Sequence, residues 1–139
     1  MNEHPLDLHP EECKNFAADY MQATRAATRA DLFIRQADIL YKQAVTASKR
    51  ADAAHRRSIA ATKHAVAVQS TSQSATARRH AAAAILVACQ LIRKGRRLWR
   101  LADLFSKTAR AAGTHANILS NHVEYSLKTV FSGNKARLL

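Results

Sequence analysis

Residues 23–65 read ATRAATRADLFIRQADILYKQAVTASKRADAAHRRSIAATKHA, and every seventh position is small: Ala23, Ala30, Ala37, Ala44, Ala51, Ser58 and Ala65. A second such row, Ser74, Ala81, Ala88, Gly95, Ala102 and Ala109, follows beyond a short polar segment. This period keeps each row on one line along a helix, and small side chains let two helical backbones approach at the low end of their usual spacing, about 8 Å. The rows predict an all-α chain built on an elongated antiparallel helical hairpin.

Composition points the same way. The 139 residues include 3 Gly and 2 Pro, and few β-branched residues fall in the first hundred positions, so strands have little support. Apolar residues make up 47 % of the chain. Much of that is alanine, whose buried methyl contributes only about 0.8 kcal/mol. Stability must therefore come from long seams or a few larger residues, and the length suffices for one domain.

Residues 1–10 read as an irregular lead. Pro10, Glu11 and Glu12 suit a first helical turn, because proline tolerates the first position and acids oppose the positive end of the helix dipole. No Gly or Pro then interrupts as far as Gln69, which predicts one long helix. Its primary face steps by four and three through Phe16, Tyr20, Ala23, Ala27, Ala30, Ile34, Ala37, Tyr41 and Ala44 and on through Ser48, Ala51, His55, Ser58, Thr62 and Ala65, beside a row of Ala26, Phe33, Leu40, Ala47, Ala54, Ala61 and Val68. The segment STSQS, residues 70–74, is the candidate turn, with Ser74 placed to cap the next helix. A turn centred near residue 72 brings Trp99 level with Val45.

The second helix is predicted over 75–112, on a stripe of Ala77, Ala81, Ala84, Ala88, Leu91, Gly95, Leu98, Ala102, Phe105, Ala109 and Ala112. Gly95 keeps the phase of that stripe, and close backbone packing is a physical reason for a glycine there. Gly113 reads as a stop and Thr114 as the N-cap of a short third helix over about 115–131. The helical domain is then 11–131, and 132–139 forms a flexible basic tail. The third helix would cover the bulk of Phe33, Ile34, Leu40, Tyr41, Trp99, Leu101, Leu104 and Phe105. The first helix outlasts the second and leaves Phe16, Tyr20 and Met21 needing cover. Either it breaks to give a compact four-helix bundle, or the overhang meets a second subunit in a homo-oligomer.

Charge supplies the functional clue. The 22 Lys and Arg against 10 Asp and Glu give a net +12, and the excess lies in residues 39–112, where only Asp52 and Asp103 oppose it. Lys49, Arg50, Arg56, Arg57 and Lys63 group on the first helix, and Arg93, Lys94, Arg96, Arg97 and Arg100 on the second. The hairpin register brings the two groups to one level. Lys49, Arg50, Arg56, Arg57, Arg93, Arg96, Arg97 and Arg100 are the candidate polyanion-binding residues, with the phosphate backbone of nucleic acid preferred. The alternative is a protein-interaction or assembly module, such as a secreted effector, meeting a helical or acidic protein partner. Trp99 is the one aromatic among the basic groups and reads as core rather than as a stacking platform.

Other classes have weaker support. Residues 81–92, AAAAILVACQLI, are too few to cross a bilayer, which takes about 20. They read as a buried helix segment with basic ends, and peripheral attachment to an anionic membrane ranks lower. Cys13 and Cys89 define no disulfide framework or metal spacing, and Cys89 reads as a buried free thiol. A reducing, cytoplasmic setting is expected, since the opening residues have no apolar run, with non-classical secretion as an alternative. His115 and His122, with Glu124 nearby, and the cluster His9, Glu11, Glu12 and Cys13 lack a full ligand set. Asp31 with Arg35 and Asp38 with Lys42 are spaced for local helical pairs. No phosphate cradle or nucleophile elbow occurs, so no catalytic residue, metal or cofactor is assigned and the chain reads as non-enzymatic.

Overall fold

The computed structural model describes residues 10–138, which form two helices, α1 (Pro10–Ala67) and α2 (Ser74–Leu138), joined as a hairpin. Residues 1–9 of the expected lead, and Leu139, lie outside the described residues. The chain divides into two units, Gln36–Phe105 and Met1–Arg35 with Ser106–Leu139.

Helix α1 begins at Pro10 with Glu11 and Glu12 in its first turn, as the dipole argument requires. It ends through tightening hydrogen bonds: the Gln69 amide donates to the Val66 carbonyl at 3.4 Å and the Thr71 amide to Val68 at 2.9 Å. Such three-residue bonds satisfy carbonyls left over at a helix end. Thr71 replaces a turn glycine, its hydroxyl donating to the Val68 carbonyl at 2.7 Å and accepting from the Gln73 amide at 3.3 Å. The first carbonyl to enter α2 is that of Gln73, which accepts from Ala77 at 3.0 Å. Ser74 is therefore the first helical residue, buried in the seam, and not the cap.

Within residues 36–105 the predicted small rows form the interface. Ala44, Ala51, Ser58 and Ala65 are buried on α1, and Ala81, Ala88 and Ala102 on α2, with Ala44 at 0 % exposure. The second seam line of α1 is Leu40, Ala47 and Ala54, all buried, and not the line through Tyr41, His55 and Thr62, which is exposed. The reason is size and polarity: alanines at 47 and 54 let α2 approach, whereas the alternative line would insert an imidazole and a hydroxyl. Ser58, the polar member of the seam, is satisfied internally by donating to the His55 carbonyl at 2.6 Å. The α2 stripe follows its expected line, each member buried or half-buried from Ala77 to Phe105.

Gly95 is buried opposite Ala47 and Ser48, where a Cβ built on it lies 3.8 Å from the Ser48 nitrogen and 3.9 Å from the Ala47 carbonyl carbon. Those are ordinary contact distances, so close packing does not demand a glycine. Trp99 meets Tyr41 edge-on at 5.1 Å and donates its indole N–H to the Ser48 hydroxyl at 2.8 Å. These two partners bracket Val45, the expected level. Trp99 is 39 % exposed, so it lies at the seam's edge and not in a core.

The other unit overturns the expected third helix. Helix α2 runs through Gly113 and past residue 131 to Leu138, so neither a stop nor a separate tail interrupts it. The row continues as Ala109, Ala116 and Val123, all buried, against Ala23 and Ala30. A mid-helix glycine costs about 1 kcal/mol, and continued packing on both sides of Gly113 offsets it. Since α1 is also unbroken, the four-helix alternative does not form. The overhang disappears as well: His122 reaches Asp19 at 4.0 Å, and Phe16 is half-buried. Tyr20 and Met21 stay exposed.

With no third helix to cover them, Ile34, Tyr41, Leu101 and Leu104 are exposed. The segment 81–92 is not a buried piece either. Ala81 and Ala88 face the seam while Ile85, Leu86 and Val87 are exposed, and Cys89 is an exposed thiol.

Two opposite outcomes follow for small seam positions. Gly95→Ala should raise stability by about 0.5–1 kcal/mol, because the added methyl fits and helix propensity improves. Ala44→Leu should lower it by roughly 1–3 kcal/mol through overpacking. Urea unfolding followed by far-UV circular dichroism measures both.

Candidate polyanion-binding surface

The seam divides the exterior of residues 36–105 into an outer line on each helix and two flanks. Successive lines follow from the helical repeat of 3.6 residues. The outer line of α1 carries Lys42, Lys49, Arg56 and Lys63, and that of α2 Arg79, Leu86, Arg93 and Arg100. One flank holds Tyr41, Ser48 and Trp99. The other holds Arg50, Arg57, Lys94 and Arg97.

The acids are not spread evenly over these lines. Asp38, Asp52 and Asp103, the acidic residues of 36–105, all fall on the Trp99 flank. The Lys94 flank and both outer lines contain no carboxylate. Asp38 is itself held by Lys42 at 2.9 Å, which removes Lys42 from the free charges. Asp31 and Arg35 form no such pair.

On the acid-free flank the helices leave a groove of about 500 Å³, floored by Ala47, Leu91 and Leu98 and edged by Lys42, Arg50 and Lys94. Both helices thus contribute cations to one concavity, as the register predicts. The eight candidates nevertheless do not form one surface. Arg50, Arg57 and Arg97 share the groove's flank. Lys49 and Arg56 border it on α1, Arg93 and Arg100 on α2, and these outer lines point away from each other. Arg96 lies on the opposite flank with Asp103. Lys94, absent from the eight, is central to the groove, and its place on the same line as Leu101 and Val87 was the available signal.

None of the eight makes an ion pair, hydrogen bond or ring contact, so their charges are free to meet an external anion. The chain matches no protein-family model, curated protein or solved structure. The site therefore rests on its own chemistry.

Among the described residues no three His, Cys, Asp or Glu side chains gather to hold a metal, and His122 has Asp19 beside it. His9 lies outside the described residues. Among the described residues, no helix is long and apolar enough to cross a membrane.

Because the cations are unpaired and exposed, Lys49→Ala, Arg56→Ala or Arg97→Ala should each change stability by less than about 0.5 kcal/mol. Urea unfolding checks this, and any binding loss in those variants is then a loss of charge.

Proposed function

We propose that this chain is a non-enzymatic helical module that captures a polyanion, with the phosphate backbone of nucleic acid as its preferred ligand. The observation that carries this reading is the confinement of all three carboxylates of residues 36–105 to one flank. A phosphate chain on the other flank meets cations without meeting a like charge.

Arg50, Arg57, Arg97 and Lys94 make the first contacts, with Lys49, Arg56, Arg93 and Arg100 at the borders. Arginine forks grip two phosphate oxygens and the lysines act as point charges. The groove offers no stacked aromatic, and Trp99 is committed to Tyr41 and Ser48 on the other flank. Recognition is then of backbone and not of bases, so affinity depends on salt far more than on sequence.

Titration of labelled duplex DNA and RNA at two salt concentrations tests the reading. The double variant Arg50→Ala/Arg57→Ala should weaken duplex binding at least about tenfold and lower the log–log salt slope by about 1.8, at 0.9 per lost phosphate contact. Arg96→Ala should change affinity by less than about threefold, because Arg96 faces the acid-bearing flank. Absence of salt-dependent binding at micromolar protein overturns the proposal.

A further inference from the structure

A second surface, distinct from the groove, lies on the outer side of α2. From Ala82 to Gln90 that side presents no charge: Ala82, Ala83, Leu86 and Cys89 face outward, with Ile85 and Val87 at its edges. Leu86 is 60 % exposed, Val87 49 % and Ile85 46 %. Leu86 on the outer line and Val87 on the adjoining Lys94 flank are aliphatic side chains held in water on a helix with a completed seam, and they need a reason.

What borders this patch supplies one. Arg79 and Arg93 stand one repeat to either side of Leu86 on the same line, Arg78 joins the first, and Lys94, Arg96 and Arg97 join the second. Helix α2 contains no Asp or Glu between Ser74 and Ala102. The outer line therefore runs basic, apolar, basic over roughly 32 Å from residue 79 to 100.

We propose that this face docks on an anionic lipid surface, with Leu86 and Val87 entering the boundary between headgroups and acyl chains while Arg79, Arg93 and their neighbours bind lipid phosphates. An anionic bilayer surface offers anions and an apolar layer together over such a length. A phosphate backbone offers Leu86 nothing apolar. A second copy placed symmetrically face to face would bring one arginine group onto another, and this face has no acid to relieve the repulsion. The surface adjoins the proposed nucleic-acid surface and shares Arg93, Lys94 and Arg97 with it, while Arg79 and Leu86 belong to it alone.

The test uses the full chain with vesicles of phosphatidylcholine, alone or with added phosphatidylserine, in sedimentation. Binding should be at least about tenfold tighter with phosphatidylserine present. Leu86→Ser/Val87→Ser should reduce it at least about tenfold while leaving helicity and duplex binding unchanged. Arg79→Ala/Arg93→Ala, which keeps the apolar residues, should reduce it at least about fivefold. Arg50→Ala/Arg57→Ala should retain vesicle binding, which separates this surface from the groove. In a Cys13→Ser protein, an environment-sensitive dye on Cys89 should shift to the blue with the anionic vesicles only. Equal binding to both vesicles, or unaltered binding by the serine variant, overturns the proposal. So does the same dye shift with duplex nucleic acid, or a free protein whose mass falls from a multiple to one copy in the serine variant.

Discussion

The close seam in which Ala44 is fully buried, and Gly95 is buried opposite Ala47 and Ser48, sets the terms for everything outside it. A seam of methyl groups has little burial energy per residue, so it works by repetition and by bringing backbones close. It also leaves nearly every large side chain outside. That is why Leu86, Leu104 and Tyr41 are exposed in a helix pair whose contact is complete, and why the exterior is simultaneously basic and apolar.

Close spacing has an electrostatic consequence. Cations on facing lines of two closely packed helices lie across a narrow groove, and Arg50 and Lys94 do so at the level where Leu91 and Leu98 form its floor. Their mutual repulsion is unrelieved by any carboxylate on that flank. The three acids that could have relieved it occupy the other side, where Asp38 is taken by Lys42. The fold thus holds like charges close together at some cost to its own stability, and the polyanion proposed above would relieve that repulsion.

Much of this was legible in the chain. The small rows, the α2 stripe, the polar turn and the level of Trp99 all follow from spacing, because a helix repeats faithfully and a hairpin with a short turn has one register. A separation of four allows both Asp38–Lys42 and Asp31–Arg35, and only the first pair forms. The candidate site was legible only in part: the two basic groups come to one level, but Lys94 lines the groove and Arg96 does not, since level comes from counting along the chain and flank comes from phase around it.

Sequence alone determined the all-α hairpin and the basic excess, because each depends on composition and local period, but it divided the second helix at Gly113 where the chain stays helical. Tertiary structure decided which line beside Ala44 joins the seam, since the lines three before and three after are both within helical reach and only the facing helix selects the alanines. It decided that Gly113 stays helical, because continued packing by Ala109 and Ala116 outweighs a local preference of about 1 kcal/mol. It also decided that Ile85, Leu86 and Val87 face outward: hydrophobicity says that burial is favourable, but only a neighbouring element can provide it.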